Sequence, residues 1–87
     1  MWNVTVKKCV QKNLNRLPEN VVALFVQLLR NLSVDGPVQA SWPNYSKLGK
    51  FEHHCHLNYH YVACWKVTEQ TITIEVYYAG SRENAPY

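Results

Sequence analysis

From residue 51 the chain reads Phe51-Glu52-His53-His54-Cys55-His56-Leu57, then Asn58-Tyr59-His60, then Tyr61-Val62-Ala63-Cys64-Trp65-Lys66-Val67-Thr68. After Glu69-Gln70 it continues Thr71-Ile72-Thr73-Ile74-Glu75-Val76-Tyr77-Tyr78-Ala79. Three runs rich in β-branched and aromatic residues are separated by short polar breaks, the pattern of successive antiparallel hairpins. In the last run Ile72, Ile74 and Val76 alternate with Thr71, Thr73, Glu75 and Tyr77, which describes a strand buried on one face only. Residues 51–57, 61–68 and 71–79 are therefore predicted strands. In the first of them Phe51, Cys55 and Leu57 take the buried face, with His53 on that side near its edge, while Glu52, His54 and His56 share the open face. A slip by one residue would turn Phe51 and Leu57 out to water, so this register is preferred.

Upstream of these strands, residues 38–50 form an irregular connection containing Trp42-Pro43, Asn44, Ser46 and Gly49. Asp35-Gly36-Pro37 before it is a stop and turn signal. Val21, Leu24, Phe25, Leu28 and Leu32 give a wide apolar helical face, and Pro18-Glu19 suits the start of that helix. An earlier helix is predicted over 7–17, with Val10, Leu14 and Leu17 on one face and a basic stripe of Lys8, Lys12 and Arg16 on another. Trp2, Val4 and Val6 alternate with polar residues as a short first strand. The two helices are close enough in sequence to form an antiparallel hairpin. The expected architecture is α+β, in the order β-α-α-β-β-β. The helix hairpin packs on one face of a four-stranded, mostly antiparallel sheet, and the other face is left for a partner or substrate.

With 87 residues the chain is expected to form one domain, 1–87, built on one thin core. Apolar residues at 47% against 17% charged exclude a disordered chain. Nine Lys and Arg against six Asp and Glu permit a polyanionic partner. Three cysteines make no paired framework, the N-terminus has no signal-peptide pattern, and the apolar stretch from 21 to 32 is too short and amphipathic for a bilayer. The expectation is a cytoplasmic protein with free thiols and no membrane partner.

The chemistry centres on His54-x-His56. RNA cleavage by internal attack needs a base for the 2′-hydroxyl proton, an acid for the leaving 5′-oxygen and a cation for the phosphate. His54 and His56 suit the first two roles. Arg82, just after the last strand, suits the third, and Tyr87 suits stacking on a base or proton transfer. Lys47, Lys50 and Lys66 are candidates for backbone phosphates, as is the stripe of Lys8, Lys12 and Arg16. Plainer readings stand beside these. The histidines can be ordinary sheet-surface residues, the stripe a solvated helix face, and Arg82 a solvated loop residue. His-x-His on one strand face is also a zinc geometry, with His60 or Cys64 as a further ligand, but no Cys-x-x-Cys spacing supports it. No metal or other cofactor is expected. Cys55 and Cys64 read as small buried residues.

The run from His56 to Val67, the segment Ile74-Glu75-Val76-Tyr77-Tyr78-Ala79-Gly80-Ser81-Arg82-Glu83, and the upstream Lys47-Leu48-Gly49 resemble the C-terminal half of RelE-type toxins, within the RelE/ParE superfamily. That resemblance implies a RelE-like fold and a metal-independent endoribonuclease that cleaves mRNA in the ribosomal A site and so represses translation. It implies a cognate antitoxin as partner, along with mRNA and the ribosome. It places Arg82, matching the Arg of a Gly-x-Arg-Glu segment, at the scissile phosphate, and Tyr87 near the family's catalytic tyrosine of the tail. His54 and His56 stand where RelE carries Lys-x-Lys, and other members use His in catalysis. The alternative is a ParE-like toxin or interaction module that binds gyrase or another target without cleaving RNA, because one fold serves both.

Overall fold

A computed structural model describes residues 2–68 and 72–87. Strand β1 (Asn3–Val6) leads into helix α1 (Lys8–Asn13), a 3-10 turn (Leu14–Arg16) and the long helix α2 (Glu19–Asp35). Strands β2 (Ser46–Lys47), β3 (Glu52–His56), β4 (Tyr61–Thr68) and β5 (Thr73–Ser81) follow, and a 3-10 turn (Arg82–Asn84) precedes the tail. The strands form one sheet in the order β1-β5-β4-β3-β2. β1 runs parallel to β5, and the other pairs are antiparallel.

Helix α2 presents Val21, Phe25, Leu28 and Leu32, spaced by three and four residues, as its buried face. These side chains meet Cys55, Leu57, Ala63, Trp65, Ile74, Val76 and Ala79 from the sheet. The helix opens after Pro18, whose carbonyl accepts from the backbone N–H of Val21 and Val22 at 3.0 Å each. It stops at Gly36, whose φ of 88° is open to glycine at no steric cost. A Cβ there would stand 2.8 Å from Trp2 Nε1. Trp65, the largest fully buried side chain, satisfies its indole N–H on the Pro37 carbonyl at 2.9 Å.

The expected order of elements holds, with four corrections. The sheet has five strands rather than four, because Ser46–Lys47 pairs with β3 through Ser46↔His54 and Lys47↔His53. A two-residue strand carries no alternation to read. The first helix is shorter than 7–17. It ends at Asn13 and tightens into the 3-10 turn, because Leu17 must be extended before Pro18. Phe51 is not on the core face. It precedes β3, is 37% exposed and lies beneath Lys50 Nζ, 5.3 Å from the ring centroid. The last strand starts at Thr73 and runs on to Ser81, and Ile72, expected in the alternation, is exposed with a left-handed φ of 44°. β4 covers the predicted 61–68, and the Asn58 side chain closes the turn before it by accepting from the N–H of His60 and Tyr61 at 2.8 and 3.1 Å. The turn expected at Glu69-Gln70 lies outside the described residues.

One irregularity in the sheet positions functional groups. Cys64 pairs with Tyr78, but the next residue, Trp65, pairs with Val76, so Tyr77 is an extra residue in β5. Val76 and Ala79 both belong to the core although they are three apart. Strict alternation cannot achieve that. The bulge at Tyr77 does, and it turns Tyr77 and Tyr78 together away from the core.

Candidate functional site

Within β3, Cys55 points into the core, and His54 and His56 share the opposite face. Their ring centroids are 6.0 Å apart. The 3-10 turn at Arg82–Asn84 and the extended Ala85 return the chain over this face, and the Tyr87 ring centroid comes to 4.5 Å from that of His54. His54 is therefore only 8% exposed, a correction to the open position expected from alternation. His53 lies on the core side as expected. It forms a triangle of rings with Tyr45 and Trp65, the centroids 5.9, 6.0 and 6.2 Å from one another, and its Nδ1 is 2.7 Å from the Tyr45 hydroxyl.

Each site histidine is held at Nδ1. His54 Nδ1 lies 3.3 Å from the Ser46 carbonyl and 3.1 Å from its hydroxyl. A carbonyl only accepts, so this contact puts a proton on Nδ1 and makes Nε2 the second proton position. His56 Nδ1 lies 3.3 Å from the Asn44 side-chain amide nitrogen, which donates to it, fixes the ring and puts the proton of the neutral imidazole on Nε2. Asn44 holds this place from a left-handed backbone (φ 53°), which asparagine tolerates better than most residues. Burial lowers the His56 pKa below the ordinary imidazole value, and the positive charges of His54 and Arg82 lower it further. His56 is thereby kept neutral at neutral pH.

Arg82 stands at the end of β5, with its backbone N–H donating to the His60 carbonyl at 2.9 Å. Its guanidinium carbon is 4.7 Å from the centre of the exposed Tyr59 ring. Its charge is felt at both His56 and Tyr87. Burial raises the Tyr87 pKa, with Cys64 and Tyr78 adding to the rise and Arg82 opposing it. His54, His56 and Tyr87 thus meet on one face of the sheet, and Arg82, stacked on Tyr59, is near enough for its charge to act on His56 and Tyr87.

The six candidate phosphate ligands are spread more widely. Lys47 is exposed on β2, in register with His53, whose pKa is lowered by burial and then by this lysine. Lys50 is engaged by the Phe51 ring. Lys66 is 3.5 Å from Glu75 and so partly neutralised. Lys12 and Arg16 line a cleft with Tyr77 and Tyr78, which does not include Lys8. Among the described residues no group of three or more His, Cys, Asp and Glu is placed to hold a metal ion, so the pair His54 and His56 lacks the third ligand a zinc site needs. No described helix is long and apolar enough to cross a membrane.

Residues that the sequence pattern did not single out complete the site. Ser46 and Asn44 position the two imidazoles, and both lie in the stretch read as irregular. The Tyr77 hydroxyl faces Glu52 and Cys64, and burial with these two neighbours raises its pKa. Burial pushes Cys64 and Cys55 up to about 12, which leaves both thiols protonated and structural.

No protein-family model matches the chain, and no curated protein matches it in sequence. Solved structures do match. The RelE toxin of the archaeal RelE–RelB complex from Pyrococcus horikoshii aligns with a TM-score of 0.77 at 17% identity, over 97% of this chain and 98% of that one. The isolated RelE toxin of E. coli aligns at 0.71 and 16% identity, over 99% and 89%. YoeB of Staphylococcus aureus, solved as a dimer, aligns at 0.74 and 13%, over 93% and 97%. Two helices on a mixed five-stranded sheet, matched over nearly the whole length of three such proteins, give this chain the fold of the RelE-like toxins.

Proposed function

We propose that the protein is the toxin of a toxin–antitoxin pair and represses translation by cleaving mRNA on the ribosome without a metal. The observation that carries this reading is the meeting of His54, His56 and Tyr87 on one face of the sheet, within reach of the Arg82 charge. His56, held neutral, takes the 2′-hydroxyl proton at Nε2 once the Asn44 amide turns its Oδ1 to the ring and accepts from Nδ1–H. The 2′-oxygen bonds to phosphorus as the bond to the 5′-oxygen breaks, leaving a 2′,3′-cyclic phosphate. His54, whose Nδ1–H is held by the Ser46 carbonyl, gives its Nε2 proton to the departing 5′-oxygen. Arg82 balances the charge that builds on the phosphate, and Tyr87 packs on a base or orients His54. Lys47 and Lys50, exposed beside β3, contact the RNA backbone.

The partner is a small antitoxin that covers this face or the outer surface of α2, where Val26 and Val34 are exposed. The fold likeness to a RelE solved with RelB supports that expectation. Three free cysteines fit a reducing cytoplasm.

The deciding experiment is primer extension on mRNA in a translating extract, with wild type and Arg82→Ala. New 5′ ends at ribosome-occupied codons with wild type, lost in the variant, are expected. Arrest of translation without new ends would replace cleavage by binding. Inhibition of DNA supercoiling with no effect on translation would replace this reading by a gyrase-directed one.

A further inference from the structure

The sheet edge opens where β1 ends. β1 pairs with β5 as far as Val6↔Val76, and the Lys7 N–H donates to the Val76 carbonyl at 3.0 Å. Beyond that point α1 replaces the strand, and the Asn13 side-chain amide donates to the Ala79 carbonyl at 2.9 Å. Between α1 and β5 lies a cleft of about 350 Å³, lined by Cys9, Lys12, Asn13, Arg16, Tyr77 and Tyr78. That size falls at the lower end of the range for small-ligand sites.

Its chemistry has two halves. Lys12 and Arg16 supply positive charge one turn apart, and among the described residues the one ion pair is Lys66–Glu75, so neither cation is neutralised by a carboxylate. Tyr77 and Tyr78 supply aromatic surface, placed side by side by the bulge. Their hydroxyls turn away from the cleft, Tyr78 donating to the Ser81 carbonyl at 2.6 Å and Tyr77 facing Glu52 and Cys64. The rings are thus anchored. Paired cations beside anchored aromatic rings match a phosphate joined to a base. The cleft also adjoins the proposed reaction site, because Tyr78 lines it while bonding to the residue before Arg82.

We propose that this cleft is a nucleotide subsite that takes one base and its phosphate from the RNA strand cleaved at His54, His56 and Arg82. The identity of the polymer rests on the proposed RNA-cleaving function. The binding chemistry of the cleft does not. Arg16 and Lys12 hold the phosphate, and Tyr77 and Tyr78 hold the base. The subsite fixes the register of the strand at a distance from the bond that breaks, so it governs affinity more than the chemical step.

Cys9 provides a direct readout, since it lines the cleft and is exposed while Cys55 and Cys64 are buried. The rate of maleimide labelling at Cys9 is measured by mass spectrometry on the full chain, with AMP, adenosine or inorganic phosphate present. AMP is expected to slow labelling severalfold, with adenosine and phosphate each weaker. Lys12→Glu and Arg16→Glu, both at exposed positions, should each raise the AMP concentration for half-protection about tenfold. Arg82→Ala should leave protection unchanged. No protection by AMP, protection by phosphate as strong as by AMP, or protection lost in Arg82→Ala would each overturn the subsite. mRNA cleavage without AMP protection would remove the subsite and leave the proposed function standing. AMP protection in a protein that cleaves no RNA would do the reverse.

Discussion

The His54 and Tyr87 rings lie 4.5 Å apart at an interplanar angle of 50°, although His54 is on an inner strand and Tyr87 is the last residue of the tail. This contact makes a surface strand position into a sheltered one and ties the tail to the site. Shelter from water strengthens every charge interaction the imidazole makes.

Removal of the ring should therefore act through His54. Tyr87→Ala is expected to lower the RNA cleavage rate by about tenfold to a hundredfold, up to the lower end of the range for loss of a proton-transfer group. Tyr87→Phe keeps the ring contact. Near-wild-type cleavage by the Phe variant assigns Tyr87 to packing, whereas an equal loss in both variants assigns the work to the hydroxyl. Single-turnover cleavage rates separate the two.

The pH profile should report His56. A base with a lowered pKa is more than half deprotonated at the ordinary imidazole value of 6.5, so the acid limb of kcat/KM should have its midpoint below that pH. In Arg82→Lys, which keeps the charge, the acid limb should stay in place. In Arg82→Ala, where cleavage is lost, the titration limb of the His56 ring followed by NMR should move up in pH, because one source of the lowering is gone. A limb that does not respond to the charge at position 82 would separate His56 from Arg82.

His53 should make stability depend on pH. Burial and Lys47 lower its folded pKa below the unfolded value of 6.5, so the unfolded chain binds more protons in this range. The stabilisation is fully present above pH 6.5 and is lost as pH falls through and below that value. His53→Phe keeps an aromatic ring against Tyr45 and Trp65 and should flatten the urea-midpoint profile on the acid side. It also gives up the Tyr45 hydroxyl contact, at a cost of about 1 kcal/mol near neutral pH. A variant with the wild-type acid slope would place the titration elsewhere.

Gly36→Ala should destabilise the protein by about 1–3 kcal/mol, the usual cost of forcing a side chain into a glycine-favoured backbone region. The new Cβ would stand 2.8 Å from Trp2 Nε1 as well, so the N-terminal strand should loosen with the helix end. Chemical denaturation gives the loss, and amide exchange in β1 locates it.

The likeness to RelE-type toxins was legible in the segments 47–49, 56–67 and 74–83, and the order of elements in the periodicity. Val21, Phe25, Leu28 and Leu32 show a helical spacing, and Ile74 and Val76 with their polar neighbours show a strand spacing, so the side to be buried is written locally. The same alternation placed His54 and His56 together opposite Cys55. Asn58 at the turn and Gly36 after the helix are local signals as well.

What alternation does not encode is who covers whom. The parallel pairing of β1 with β5 joins residues about seventy positions apart, and Ser46–Lys47 becomes a strand only because β3 offers an unpaired edge. The bulge at Tyr77 appears only when β5 is laid against β4, and it alone brings Tyr77 and Tyr78 to one side. The shelter of His54, the lowered pKa of His56 and the reach of the Arg82 charge to His56 and Tyr87 all arise from contacts between distant segments. Residue types and their spacing determine which face each element buries. Distances between elements determine which groups share a site, because they depend on packing that no single stretch of the chain contains.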